Sequence, residues 1–210
     1  MNKNVVLGGL AASHLALFSL GWALAPDDPL DEEVQQVGFM KVQTTKVLEA
    51  TVQSLRAENK LLVYSYKGST KVIASRTYYK IFSGRQELQI PAVVNYYLDL
   101  SDLTLANVTF EEKAKIVRVR LPKLKLGDIA FQPENAMSVS GGILSWNDDQ
   151  VEALRKLNYQ TARKAMVRQA QQKGLVDAAK KQAIDNITNY FEIPLRVAGL
   201  PDVKVVAAFD

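Results

Sequence analysis

The hydrophobic pattern divides the chain into four regimes. From Val5 to Ala25 no side chain carries charge if His14 is neutral. A run of roughly twenty such residues, wound as a helix, is just long enough to cross a bilayer. Pro26 and Pro29 then break the run, and Asp27 to Glu33 reads as an acidic, solvated linker. From about Thr44 the period becomes helical. Leu48, Val52, Leu55, Asn59 and Leu62 follow one another at spacings of four, three, four and three, with Lys46, Glu49, Arg56 and Glu58 off the seam. This short amphipathic helix packs on its own domain or pairs with a copy of itself, Asn59 then setting the register as a buried polar residue can.

Past Asn59 the period falls to two. LLVYSY and TKVIASRTYYKIF predict strands joined by a turn at Lys67-Gly68-Ser69, with a second turn at Ser83-Gly84-Arg85. ELQIPAVVNYYLDL predicts a long strand broken or bulged at Pro91. Tyrosines 64, 66, 78, 79, 96 and 97 gather here, and packing on a half-buried pleated surface accounts for them. In KAKIVRVRLPKLKLGDI, Val117, Val119 and Leu121 alternate with Arg118 and Arg120. Lys123 and Lys125 then alternate with Leu124 and Leu126.

Residues 132 to 147 predict a loop, and Gly141-Gly142 lacks the spacing of a phosphate-binding turn. Asn147 or Asp148 caps a helix running to about Lys173, with Leu154, Leu157, Ala162, Ala165, Met166 and Ala170 on one side. Gly174 breaks or kinks it. A second helix, Leu175 to Phe191, carries Leu175, Ala179, Ala183 and Ile187 at spacings of four and ends before Pro194. VKVVAAF closes the chain as a strand. The expected fold is therefore α+β: an N-terminal transmembrane helix over 1–26, a linker over 27–43, and a domain over 44–210. That domain has a mainly antiparallel sheet, a short N-terminal helix and two C-terminal helices.

The fate of the first segment decides where the domain lives. Ala23-Leu24-Ala25 has the small-x-small form of a signal-peptide cleavage site. Pro26 stands directly after it, and a proline there suits an extended peptidase substrate poorly, which favours a retained anchor. Lys3 before the span and acids after it put the N-terminus inside and the domain outside under either outcome. His14 is expected to be a tolerated neutral imidazole on a single span rather than a functional group.

Composition narrows the chemistry. The chain has 210 residues and a formal net charge of +4, with no cysteine and a single histidine, His14. About 180 residues follow the first segment, enough for one domain with a core. That domain has no imidazole and no thiol. A Ser-His-Asp triad, a His or Cys metal site, a His general base and a disulfide are excluded from it. No nucleic-acid motif accompanies the mild basicity. The acidic run 27–33 has prolines and no glycine, so it is not a calcium loop. Asn107-Val-Thr109 and Asn186-Ile-Thr188 match the glycosylation sequon, a short motif frequent by chance.

Two functions follow. The first is a non-enzymatic binding or scaffold module tethered at the outer face of a membrane. Its partner is an anionic group, a lipid headgroup or a protein, met by Arg118, Arg120, Lys123 and Lys125, and a homo-oligomer is possible. Solvated charges guarding a sheet edge would give the same pattern. The alternative is a carboxylate-dependent hydrolase acting on glycans, which needs two acids across a cleft. Asp99, Asp102, Asp128, Asp148 and Asp149 are its candidates, though each also suits a turn or a helix start. No catalytic residue, metal ligand or cofactor site is assigned.

The ordered combination of Leu98-Asp99-Leu100-Ser101, the VRVRLP run from Val117 to Pro122, Gly174-Leu175 and Val203-Lys204-Val205 resembles a bacterial family catalogued as domain of unknown function 4230. The similarity spans about residues 40 to 208. It implies a single N-terminal transmembrane helix, a β-rich region and two C-terminal helices, and it implies no activity. At the level of architecture alone the chain is also similar to membrane scaffolds of the prohibitin and stomatin type.

Overall fold

The computed structural model describes residues 29–78, 82–141 and 147–210. The apolar run 5–25, with His14 and the Ala25–Pro26 bond, lies outside them. No helix among the described residues is long and apolar enough to cross a membrane. The chain divides into two compact units, Met1–Val42 and Gln43–Asp210. Helix α1, Pro29–Ala57, supplies the described part of the first and opens the second.

Helix α1 begins inside the segment expected to be a linker. A proline suits the first helical position, which needs no backbone N–H. The helix's buried stripe, Thr44, Leu48, Val52 and Leu55, keeps the expected apolar positions. That stripe is covered within its own domain. The last two positions of the expected seam are not helical. Asn59 adopts a left-handed conformation (φ 57°) just past the helix end, and Leu62 is exposed on the following strand. Asparagine tolerates that conformation better than other non-glycine residues, so it stops the helix instead of setting a register.

Sheet A is built on a long antiparallel ribbon, β1 (Lys60–Tyr78) and β2 (Phe82–Asp99). Gly68 is not in a turn. It lies within β1 opposite Ala92, where a Cβ would fall on the ring of Tyr66, two residues away on the same face. Ser83, Gly84 and Arg85 also lie within the ladder, paired with Thr77, Arg76 and Ser75, and the described ladder extends to the Tyr78–Phe82 pair. Strand β2 buries every second residue from Leu88 to Leu98, and Leu100 just past it keeps the alternation that fixes one face of a sheet against a core.

On the other side of β2 lie β5 (Leu124–Phe131) and β6 (Met137–Gly141). Strand β6 occupies part of the expected loop. Pro91 falls in the gap between β6, which pairs up to Gln89, and β5, which pairs from Ala92. A proline costs no ladder bond there, and its carbonyl accepts from the Gln132 N–H (2.9 Å). Sheet B holds β3 (Val108–Glu111), β4 (Ile116–Leu121) and β7 (Lys204–Phe209). Strand β7 runs parallel to β4, and β4 shows the expected alternation with Val117, Val119 and Leu121 buried.

Two helices cover these sheets. Helix α2, Asp148–Ala170, is capped by Asn147, whose side chain accepts from the Gln150 N–H (3.0 Å) while Gln150 reciprocates (3.2 Å). Its buried residues, Leu154, Asn158, Ala162, Met166 and Ala170, are four apart; Leu157 is exposed and Asn158 takes the inward place. Asn158 Nδ2 donates to the backbone carbonyl of Gln86 and to Gln86 Oε1 (both 3.1 Å), joining α2 to β2. The hydroxyl of the fully buried Tyr96 donates to the Ala170 carbonyl (2.6 Å), which satisfies an orphan acceptor at the end of α2.

Helix α3, Lys173–Val197, repeats the spacing with Ala179, Ala183, Ile187, Phe191 and Leu195. It continues through Pro194, and the break between the helices falls at Gln171–Gln172, just before Gly174. The stop is Gly199 at φ +81°. Leu200 N–H donates to the Leu195 carbonyl (2.9 Å) and Gly199 N–H to the Arg196 carbonyl (3.1 Å), while Leu195 and Leu200 are both buried. That is the Schellman arrangement. A Cβ at Gly199 would meet nothing within 4 Å, so Gly199→Ala carries the backbone cost alone. We expect it to lower stability by roughly 1–2 kcal/mol in urea unfolding; an unchanged midpoint would show that the left-handed geometry is not retained in solution.

Candidate functional site

Strand geometry divides the expected basic stripe between two sheets. Arg118 and Arg120 lie on β4 of sheet B, Lys125 lies on β5 of sheet A, and Lys123 lies in the link between them. Arg118 forks onto Glu111 of the neighbouring strand, Nε to Oε1 at 2.6 Å and Nη2 to Oε2 at 3.4 Å. The guanidinium holds the Glu111 carboxyl below its ordinary range, and the carboxylate raises Arg118 in return. An anionic partner would have to displace Glu111 to use Arg118. Arg120 directs Nη2 toward the Ala106 carbonyl at 3.5 Å.

Lys123 and Lys125 do come together, in a cleft of about 660 Å³ where β4 and β7 end and β5 begins. Lys180, from the second turn of α3, joins them. Leu121, Leu124 and Leu126 supply apolar lining from the strands, and Val176 and Phe209 supply it from α3 and β7. The Lys180 ammonium stands 5.4 Å from the centroid of the Phe209 ring, within cation–π range. Asp210 is the one carboxylate lining this cleft, and Tyr96 and Gln171 are also part of its wall. The Tyr96 hydroxyl is pushed up by burial, with Tyr64 and Tyr66 adding to the shift, so it stays a neutral donor.

The three lysines are not equivalent. Lys125 Nζ is 2.7 Å from Asp99 Oδ2, and Asp99 also accepts from the Ser101 hydroxyl (2.5 Å) and the Ser101 N–H (3.2 Å). Lys125 is the largest cause, ahead of Ser101, of an Asp99 carboxyl held well below the ordinary carboxylate range. Among the described residues neither Lys123 nor Lys180 has an ion pair. Two ammoniums therefore remain for an incoming anion. Lys180 and Phe209 were not legible as site residues, because only the docking of α3 and β7 brings them to Lys123.

The Asp99–Lys125 pair has a testable titration. Because the folded pKa is depressed, its contribution is complete above the unfolded value near 3.9 and is lost as pH falls through the folded value. Carboxyl-carbon NMR should show Asp99 titrating below the other aspartates, and Lys125→Gln should move it back toward the ordinary range. An ordinary Asp99 titration in the parent protein would dissolve the pair. The contact is open to solvent, although Asp99 itself is partly buried, so little stability goes with it.

The carboxylate candidates do not meet in a described cleft. Asp99 is engaged by Lys125, Asp148 and Asp149 occupy the first turn of α2, Asp128 is exposed on β5, and Asp102 is exposed beyond β2. A second cleft, about 570 Å³ between α1 and the end of α3, is lined by Val47, Ala50, Leu55, Tyr190, Pro194 and Val197, with Glu58 the one charged side chain among its described lining residues. A third, of about 490 Å³, adjoins it through Tyr190 and Pro194 and has no charged lining. Lysine thus sets the first cleft apart from the other two. Among the described residues no group of three or more His, Cys, Asp or Glu side chains could hold a metal ion.

Comparison with known families matches residues 32–205 to the family described as "Protein of unknown function (DUF4230)". The match covers most of the chain, which therefore belongs to that family. Neither the curated proteins nor the solved structures give a match.

Proposed function

We propose that this chain is a non-enzymatic binding or scaffold module of the bacterial envelope, anchored by residues 5–25 with its domain at the outer face of the cytoplasmic membrane. The anchor rests on the uncharged run, on Lys3 before it and on the acids after it. The binding role rests on one observation: Lys123 and Lys180 line the same cleft without an ion pair among the described residues, beside a third lysine already engaged by Asp99. Opposite charge on a partner is attracted to such a cleft, and salt screens the attraction. The domain's lack of histidine and cysteine supports the non-enzymatic reading.

The test uses the full-length chain in phosphatidylcholine nanodiscs with an octaglutamate probe. Binding is expected at about 50 mM salt, weakening at least fivefold by about 200 mM as the charges are screened. No binding at the lower salt overturns the anionic reading. In spheroplasts, external protease should digest the domain and spare the N-terminal segment; a protected domain overturns the outward orientation.

A further inference from the structure

We propose that the Lys123–Lys180 cleft holds a single anion that carries an acyl chain. The phosphate or carboxylate head would lie at the two ammoniums and the chain along Leu124, Leu126, Val176 and Phe209. The inference rests on the anionic reading of the cleft and narrows it to a ligand class.

Three features carry it. First, the lining has two characters. Lysines supply charge, while leucines from β4 and β5, Val176 and the Phe209 ring supply apolar surface. Second, about 660 Å³ falls within the range of small-molecule sites, and such sites are mostly apolar with a few polar groups that fix orientation. An inorganic anion would leave the apolar lining uncovered. Third, the charges place the head. Lys125 is held by Asp99, and Asp210 repels an anion, so the head falls to Lys123 and Lys180.

Each CH₂ withdrawn from water is worth roughly fourfold in affinity. A chain of eight carbons with half its length covered should then improve on the bare head by on the order of a hundredfold. The probes are octyl phosphate, inorganic phosphate, octaglutamate and octyl glucoside, titrated calorimetrically into the full-length chain in phosphatidylcholine nanodiscs, with empty nanodiscs subtracted. The expected result is one octyl phosphate per chain, bound at least tenfold more tightly than inorganic phosphate or octyl glucoside. The Lys123→Gln/Lys180→Gln double variant should lose at least tenfold. Both side chains are exposed, so that variant should keep the parent melting temperature. Inorganic phosphate or octaglutamate bound as tightly as octyl phosphate, and lost in the double variant, overturns the acyl assignment and leaves the anionic site standing. Octyl phosphate binding that survives the double substitution overturns both.

Discussion

Phe191→Ala is expected to lower the free energy of unfolding by about 3–5 kcal/mol, a large part of the 5–15 kcal/mol that holds a typical domain together. Phe191 is fully buried and lies in the middle of the α3 stripe, between Ile187 and Leu195, which are fully buried as well. Removing the ring loses its transfer free energy and leaves a cavity. The neighbours cannot fill it easily, because α3 packs against β1 of one sheet and β7 of the other. Any collapse around the gap would have to move both contacts. Val197→Ala on the same helix is the control, since Val197 is 84% exposed and should change stability by no more than about 0.5 kcal/mol. Urea unfolding of both variants decides it. A Phe191→Ala loss below about 1 kcal/mol would mean that α3 is not docked as described.

The same stripe shows which parts of the fold were legible in the sequence. Spacings of four in both C-terminal helices, the alternation in β2 and β4, and the Asn147 cap are local patterns, and local patterns survive into the structure. Glycine and proline misled because their effect depends on what lies beside them. Gly68 remains in a strand with the Tyr66 ring over it, Pro91 falls where the neighbouring strand changes, and Pro194 costs one helix bond a turn before Gly199 ends the helix. Strand β6, read as loop, is exposed along its length and so carries no alternation of burial to read.

The candidate site was half legible for a related reason. Lys123 and Lys125 announced themselves by alternation, but what each lysine meets depends on residues far away in sequence. Asp99 reaches Lys125 across the β2–β5 pair, and Lys180 and Phe209 arrive on α3 and β7. Arg118 belonged to the same written pattern, yet the β3–β4 hairpin gives it Glu111 as a partner. A charge pattern shows where cations lie along a strand. It does not show which of them the fold has already neutralised.

Asn158→Asp is the second large effect, and its signature is in pH. Asn158 is fully buried, and its Nδ2 donates to two acceptors, the Gln86 carbonyl and Gln86 Oε1, while its own Oδ1 has no partner among the described residues. A carboxylate there would face acceptors where a donor is needed, in a fully buried position. Burial raises a carboxyl pKa by up to about 3–5 units in such positions, so the folded protein would hold the proton and the unfolded chain would release it above about 3.9. The folded state then binds more protons than the unfolded state, and stability relative to the parent falls as pH rises from the unfolded value toward the folded one. At pH 7 the deficit should reach about 4 kcal/mol. Near pH 4 the protonated acid can donate to the Gln86 carbonyl in place of the amide, and most of the deficit should vanish. Urea midpoints of parent and variant measured from pH 4 to 8 give the difference curve, in which exposed pairs such as Asp99–Lys125 cancel. A flat curve would place residue 158 in contact with water and would remove it as the polar link between α2 and β2.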